Sequence, residues 1–172
     1  MRRLPGVSVC LHTWLVDDGS LTRSVIASCR GKFRVDLIGQ ARGAALPSEA
    51  ALLGAGPVQA TLIRQVRLYC GSDAWVYART LIPMGSLRGP VQALTGLGRR
   101  PLGAVLFSDP TTRRLQVEVA RITPRHRLFA PATAHLKRLP ESICGRRTLF
   151  DYRGGLILVN ELFLPAIPEF RR

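Results

Sequence analysis

Two charged residues stand in phase with apolar neighbours, and both could do chemistry there. Val58, Ala60, Leu62, Val66 and Leu68 alternate with Gln59, Thr61, Gln65 and Arg67, the period of a strand with one face buried. Arg64 falls in step with the apolar set. A guanidinium on an inner face must meet an anion or reach an aqueous cavity, because an unpaired buried charge is costly. The plainer arrangement is a bulge, or a side chain that reaches solvent round a sheet edge. Glu161 is the second, inside LILVNELFL at 156–164, in phase with Ile157, Val159 and Phe163, while Asn160 faces the other way with Leu158 and Leu162. A strand apolar on both sides is covered on both sides, which takes the carboxylate out of bulk water. It then serves as a structural ion pair with an arginine or as a polar anchor in an apolar ligand pocket. Together, one Arg and one Glu on inner faces suit a small ligand with an anion at one end and a hydroxyl at the other.

Other chemistries leave no trace. The chain has no G-x-S-x-G, H-E-x-x-H, Walker A or G-x-G-x-x-G pattern, so nucleophilic and metal catalysis find no constellation. Cys10, Cys29, Cys70 and Cys144 are widely spaced without C-x-x-C, which predicts reduced thiols in a cytosolic protein, with a disulfide-bonded secreted fold as the alternative. His12, His126 and His135 have no partner pattern. No metal or cofactor is expected.

The elements that must hold these residues read as follows. Phe33, Val35 and Leu37 predict one strand, 58–68 a second and Trp75–Ile82 a third, after a turn at Gly71-Ser72-Asp73. Leu115, Val117 and Val119 alternate with Gln116 and Glu118 in a fourth, and Arg147–Tyr152 meets Leu156–Leu164 across Gly154-Gly155. Six strands with short hairpins predict an antiparallel sheet. Ser20 caps a helix carrying the stripe Leu21, Val25, Cys29; Pro90 opens a helix that stops at Gly98, and Pro101 opens a shorter one. Segment 39–57 reads as a loop with one helical turn, and 121–147, basic and broken by Pro124, Pro131 and Pro140, as a surface excursion. The fold class is α+β, in a single domain spanning 1–172.

Composition agrees. A chain of 172 residues, 47% hydrophobic and 21% charged, can bury a core and is neither disordered nor fibrous. No apolar run reaches the ~18–20 residues of a spanning helix, and the first 18 residues, broken by Pro5, Gly6 and an acidic pair, make a poor signal peptide. The net charge of +14 is carried almost wholly by arginine, a bias that GC-rich coding also produces, and attracts anions in general.

Three segments carry a resemblance: TWLVDDGSLTRSV at 13–25, RTLIPMGSLRGPVQALTGLGRRPLGAVLF at 79–107 and GRRTLFDYRGGLILVNELFLPAIP at 145–168. The chain resembles the chorismate lyase family, whose members remove pyruvate from chorismate to give 4-hydroxybenzoate at the start of ubiquinone synthesis. The resemblance implies a six-stranded antiparallel sheet with helical flaps over a buried ligand site. It implies that Arg64 holds the ring carboxylate and Glu161 the hydroxyl end, as catalytic residues, with Leu21 and Leu102 as further substrate contacts made through the backbone. It also implies chorismate and 4-hydroxybenzoate as ligands, no cofactor, no nucleic-acid partner, no stable membrane insertion, and a cytoplasmic monomer.

Two other readings compete. Effector-binding domains of some transcription regulators share this fold without catalysis, but they follow a winged-helix segment, for which the ~20 residues before the first predicted helix leave no room. A nucleic-acid or membrane-surface protein would use the +14 charge, yet no aromatic residues interleave with the arginines of 113–147 to stack bases.

Overall fold

The computed structural model describes residues 9–54, 56 and 59–168. Six strands form one antiparallel sheet: β1 (Phe33–Ala44), β2 (Ala60–Cys70), β3 (Asp73–Pro83), β4 (Arg113–Ile122), β5 (Ile143–Tyr152) and β6 (Gly155–Phe163). Their order is β1-β2-β3-β6-β5-β4, two meanders joined where β3 pairs with β6. Five α-helices accompany them: α1 (Val9–Val16), α2 (Leu21–Ser28), α3 (Pro47–Leu52), α4 (Leu102–Leu106) and α5 (Phe129–Thr133), with a 3-10 helix over Gly89–Gly96.

The hairpins follow from backbone chemistry. Gly71, at φ +60°, takes the first place of the two-residue loop between Cys70 and its partner Asp73. Arg153 and Gly154 both have positive φ, as a type I′ loop between Tyr152 and Gly155 requires. Gly155 is therefore the first residue of β6 and not part of the turn.

Both faces of the sheet are covered. On one, α1, α2, α4 and the 3-10 helix pack on Val66, Leu68, Val76, Phe150, Ile157 and Val159. On the other, α3 and α5 pack on Tyr77, Leu81, Leu149, Leu158 and Leu162. Ser20 caps α2 as expected, its hydroxyl accepting from the Arg23 N–H.

Several expectations need correction. β1 continues past Leu37 to Ala44 through a register shift at Leu37/Gly39, so all of 39–44 is strand where the loop expected over 39–57 was to begin; Gly39 and Gly43 mask the alternation. Pro47–Leu52 supplies the one helical turn. The segment 121–147 is no mere surface excursion, since Ile122, Leu128, Phe129, Ala132 and Ile143 are buried against the sheet. The Pro90 helix is 3-10, not α. The α1 helix was not expected at all, yet Trp14 and Leu15 lie among the most buried side chains. Val58, placed on the inner face from the pattern, lies outside the described residues.

Cys29 and Cys70 form a disulfide, and Cys144 is free and buried. Reduced thiols were expected from the wide spacing. Antiparallel pairing brings them together, because Phe33 at the start of β1 lies opposite Cys70 at the end of β2, four residues after the C-cap of α2 at Cys29.

Candidate active site

A cavity lies between the sheet and the helices on the face that Arg64 shares. Arg64 is paired in register with Gln40 on one side and Thr80 on the other. It is therefore neither at an edge nor in a bulge, and only 4% of it is exposed. Its Nη2 donates to the carbonyls of Gly98 (2.9 Å) and Arg100 (3.0 Å), in the loop before α4. Its Nε is buried with no acceptor among the described residues. Burial lowers its pKa from the ordinary value, as it does for any cation removed from water without a carboxylate beside it. The guanidinium is thus held ready by two carbonyls and keeps a donor for an incoming anion.

Glu161 stands across the cavity on β6. Its carboxylate accepts from Arg146 Nε at 2.5 Å, and the two side chains are 15% and 3% exposed. Arg146 also donates from Nη1 to the carbonyls of Trp14 (3.2 Å) and Asp17 (2.5 Å). The same guanidinium fixes Glu161 and anchors the segment between α1 and α2. The ion pair, one of the alternatives on sequence, is present, and Glu161 also lines the cavity.

Apolar walls join the two charges. Val35, Val66, Leu68, Ala78, Thr80, Val159 and Phe150 rise from the sheet, while Leu21 and Thr22 from α2 and Pro101, Leu102, Gly103, Leu106 and Phe107 around α4 form the cover. The cavity is small, about 50 Å³, and opens to solvent. The starts of α2 and α4 abut closely, since a Cβ on Gly103 would lie 3.1 Å from Thr22 Oγ1 and 3.3 Å from Ser20 Oγ. All four residues named from the sequence, Leu21, Arg64, Leu102 and Glu161, line this one cavity.

Behind it, on the opposite face, Glu49 accepts from Arg79 Nε (3.0 Å) and Nη2 (3.1 Å), from Asn160 Nδ2 (3.0 Å) and from the Leu46 N–H (2.8 Å). This cluster locks β3 and β6, whose neighbouring residues Ala78, Thr80, Val159 and Glu161 face the cavity. A buried pair bonded at several points fixes register.

The model of the chorismate lyase family matches residues 2–171. The chain belongs to the chorismate lyase family. A relative from Nitrosospira multiformis, named probable chorismate pyruvate-lyase, is 36% identical over 91% of this chain and 87% of its own length. One of the same name from Aromatoleum aromaticum is 39% identical over 96% of this chain and 90% of its own. Membership in this family makes the protein a lyase. Among solved structures, the ligand-binding domain of a GntR-family transcriptional regulator from Bordetella bronchiseptica superposes with a TM-score of 0.57 at 14% identity, covering 83% of this chain and 88% of that one. PhnF from Mycobacterium smegmatis gives 0.61 at 15%, covering 87% and 65%. At these identities the likeness is one of fold.

Sequence reasoning missed Arg146. Its signal was its phase with Thr148, Phe150 and Tyr152, which shows only when the fifth strand is started at Ile143 rather than at Arg147.

Proposed function

We propose that the protein eliminates pyruvate from chorismate and releases 4-hydroxybenzoate, with Arg64 binding the ring carboxylate and Glu161 the C4 hydroxyl. One observation carries the reading: a buried guanidinium with a donor unengaged shares an apolar chamber with a carboxylate that is itself clamped. These are the two ends of a para-substituted ring acid.

The reaction needs little more. The C4 proton leaves as the bond from C3 to the ether oxygen breaks, and the expelled enolpyruvate takes up a proton at its methylene carbon to become pyruvate. Every atom of chorismate is then in one product or the other, and aromatisation supplies the drive. The protein contributes position and electrostatics. Arg64 fixes one end of the ring, Glu161 accepts from the hydroxyl at the other, and Leu21 and Leu102 close over the ring and exclude water. The walls that hold the substrate also hold the product, so release through the α2–α4 cover limits turnover. On this reading residues 1–172 act as one domain, a monomer without cofactor at the entry to ubiquinone synthesis. That placement rests on the family alone.

The test is incubation of purified protein with chorismate in EDTA, followed by chromatography. Equimolar 4-hydroxybenzoate and pyruvate are expected. Unchanged chorismate overturns the reading, and binding of 4-hydroxybenzoate without turnover would identify a non-catalytic effector domain instead.

A further inference from the structure

Chorismate has two carboxylates, and Arg64 serves only one. The second, on the enolpyruvyl group, hangs from the ring carbon next to the hydroxyl-bearing one. With the hydroxyl at Glu161, that carboxylate falls at the Glu161 end of the chamber. Arg146 is the nearest cation there, but it is already engaged by Glu161 and two backbone carbonyls.

Arg114 is a further cation at the Glu161 end of this face, and a bulge puts it there. Strict alternation from Val119 and Val117 would set Leu115 opposite Phe150. The register shift between Arg114 and Gln116 sets Arg114 opposite Phe150 instead and turns Leu115 to solvent, where it is 51% exposed. Bulges re-aim side chains in this way beside functional sites. The Arg114 Cζ lies 5.1 Å from the ring centre of Phe107 and 5.6 Å from that of Phe150, both of which line the chamber. Nη2 donates to the Gly19 carbonyl at 2.8 Å, just ahead of the α2 cap, while Nε is buried with no acceptor among the described residues. The charges that act on it are Arg146, Glu161, Asp18 and Asp17. Of the acids, Glu161 is held by Arg146, Asp17 accepts from Ser24 Oγ (2.7 Å) and the Gly19 N–H (3.1 Å), and Asp18 is exposed. Desolvation and the charge of Arg146 both lower the pKa of Arg114, so an arriving anion relieves a cost already present.

We propose that Arg114 binds the enolpyruvyl carboxylate of the substrate and so distinguishes the dicarboxylate substrate from the monocarboxylate product. The inference rests on the reaction proposed above. It also gives the chamber a reason to let go: once pyruvate departs, the product has nothing for Arg114 to hold.

Two ligands separate this role from a structural one. Arg114→Gln and Arg114→Lys are compared with wild type for KM with chorismate and for Kd with 4-hydroxybenzoate by calorimetry. Arg114→Gln is expected to raise KM about 10- to 100-fold, the range for truncating one partner of a partly desolvated charge pair, with Kd for 4-hydroxybenzoate within about twofold. Arg114→Lys, which keeps the charge but not the fork, is expected to fall between. An unchanged KM, or a parallel loss of both ligands in the lysine variant, overturns the assignment. A wild-type protein that does not turn over chorismate overturns the reaction itself, a separate result.

Discussion

Arg64 is a buried guanidinium held by two backbone carbonyls. Its burial without a carboxylate, with Nε unmet, is the kind of local strain that persists at functional sites because the fold elsewhere offsets it. Arg64→Gln is therefore expected to weaken 4-hydroxybenzoate binding by about 2–5 kcal/mol, read by titration calorimetry. Affinity equal to wild type would show that the ring carboxylate binds elsewhere. Arg64 was legible from the sequence because strand phase is strict: a residue six positions from Val58 and two from Val66 has one face to occupy. Glu161 was legible for the same reason. Arg146 and Arg114 were not, since the first lies beyond the predicted start of its strand and the second is moved to the inner face by a bulge that alternation cannot foresee.

At the scale of elements, the six strands and their hairpins were written in period-two runs and glycine turns. The helices were less so. The α1 helix is only eight residues long, and α5 five. Both are held by burial against the sheet rather than by any helical repeat of their own. The loops between elements are held by polar ties that propensity does not show. Asp109, ahead of β4, accepts from the hydroxyl and N–H of Thr111 (2.7 and 2.9 Å) and from Arg153 in the β5–β6 turn. These bonds, those from Thr111 foremost, hold its carboxyl down from the ordinary 3.8 to about 2. A lowered carboxylate stabilises fully above its ordinary pKa and ceases to as pH falls through the folded value. Unfolding midpoints should thus drop between pH 4 and 2, and Asp109→Asn should flatten part of that drop. An identical acid profile for the variant would remove Asp109 from the account.

For the whole molecule, the disulfide and the charge matter most. The Cys29–Cys70 bond, across 41 positions, ties the end of α2, whose other end covers the chamber, to β2, which carries Arg64. A cross-link of this span stabilises by about 4 kcal/mol on chain-entropy grounds, so reduction by dithiothreitol should lower the melting temperature, and Cys29→Ser should reproduce the loss. A melting temperature indifferent to both would show that the thiols are not joined in solution. The +14 charge attracts anions at long range but specifies none; on the proposed reading, specificity lies in the placement of Arg64, Arg114 and Arg146 with Glu161.

The most direct test of that placement is a crystal structure with 4-hydroxybenzoate bound. Its carboxylate should lie on the Arg64 guanidinium and its hydroxyl on Glu161, with Leu21 and Leu102 closed over the ring. A ligand lodged on the opposite face of the sheet, or lying in the chamber with its carboxylate turned away from Arg64, would contradict the account.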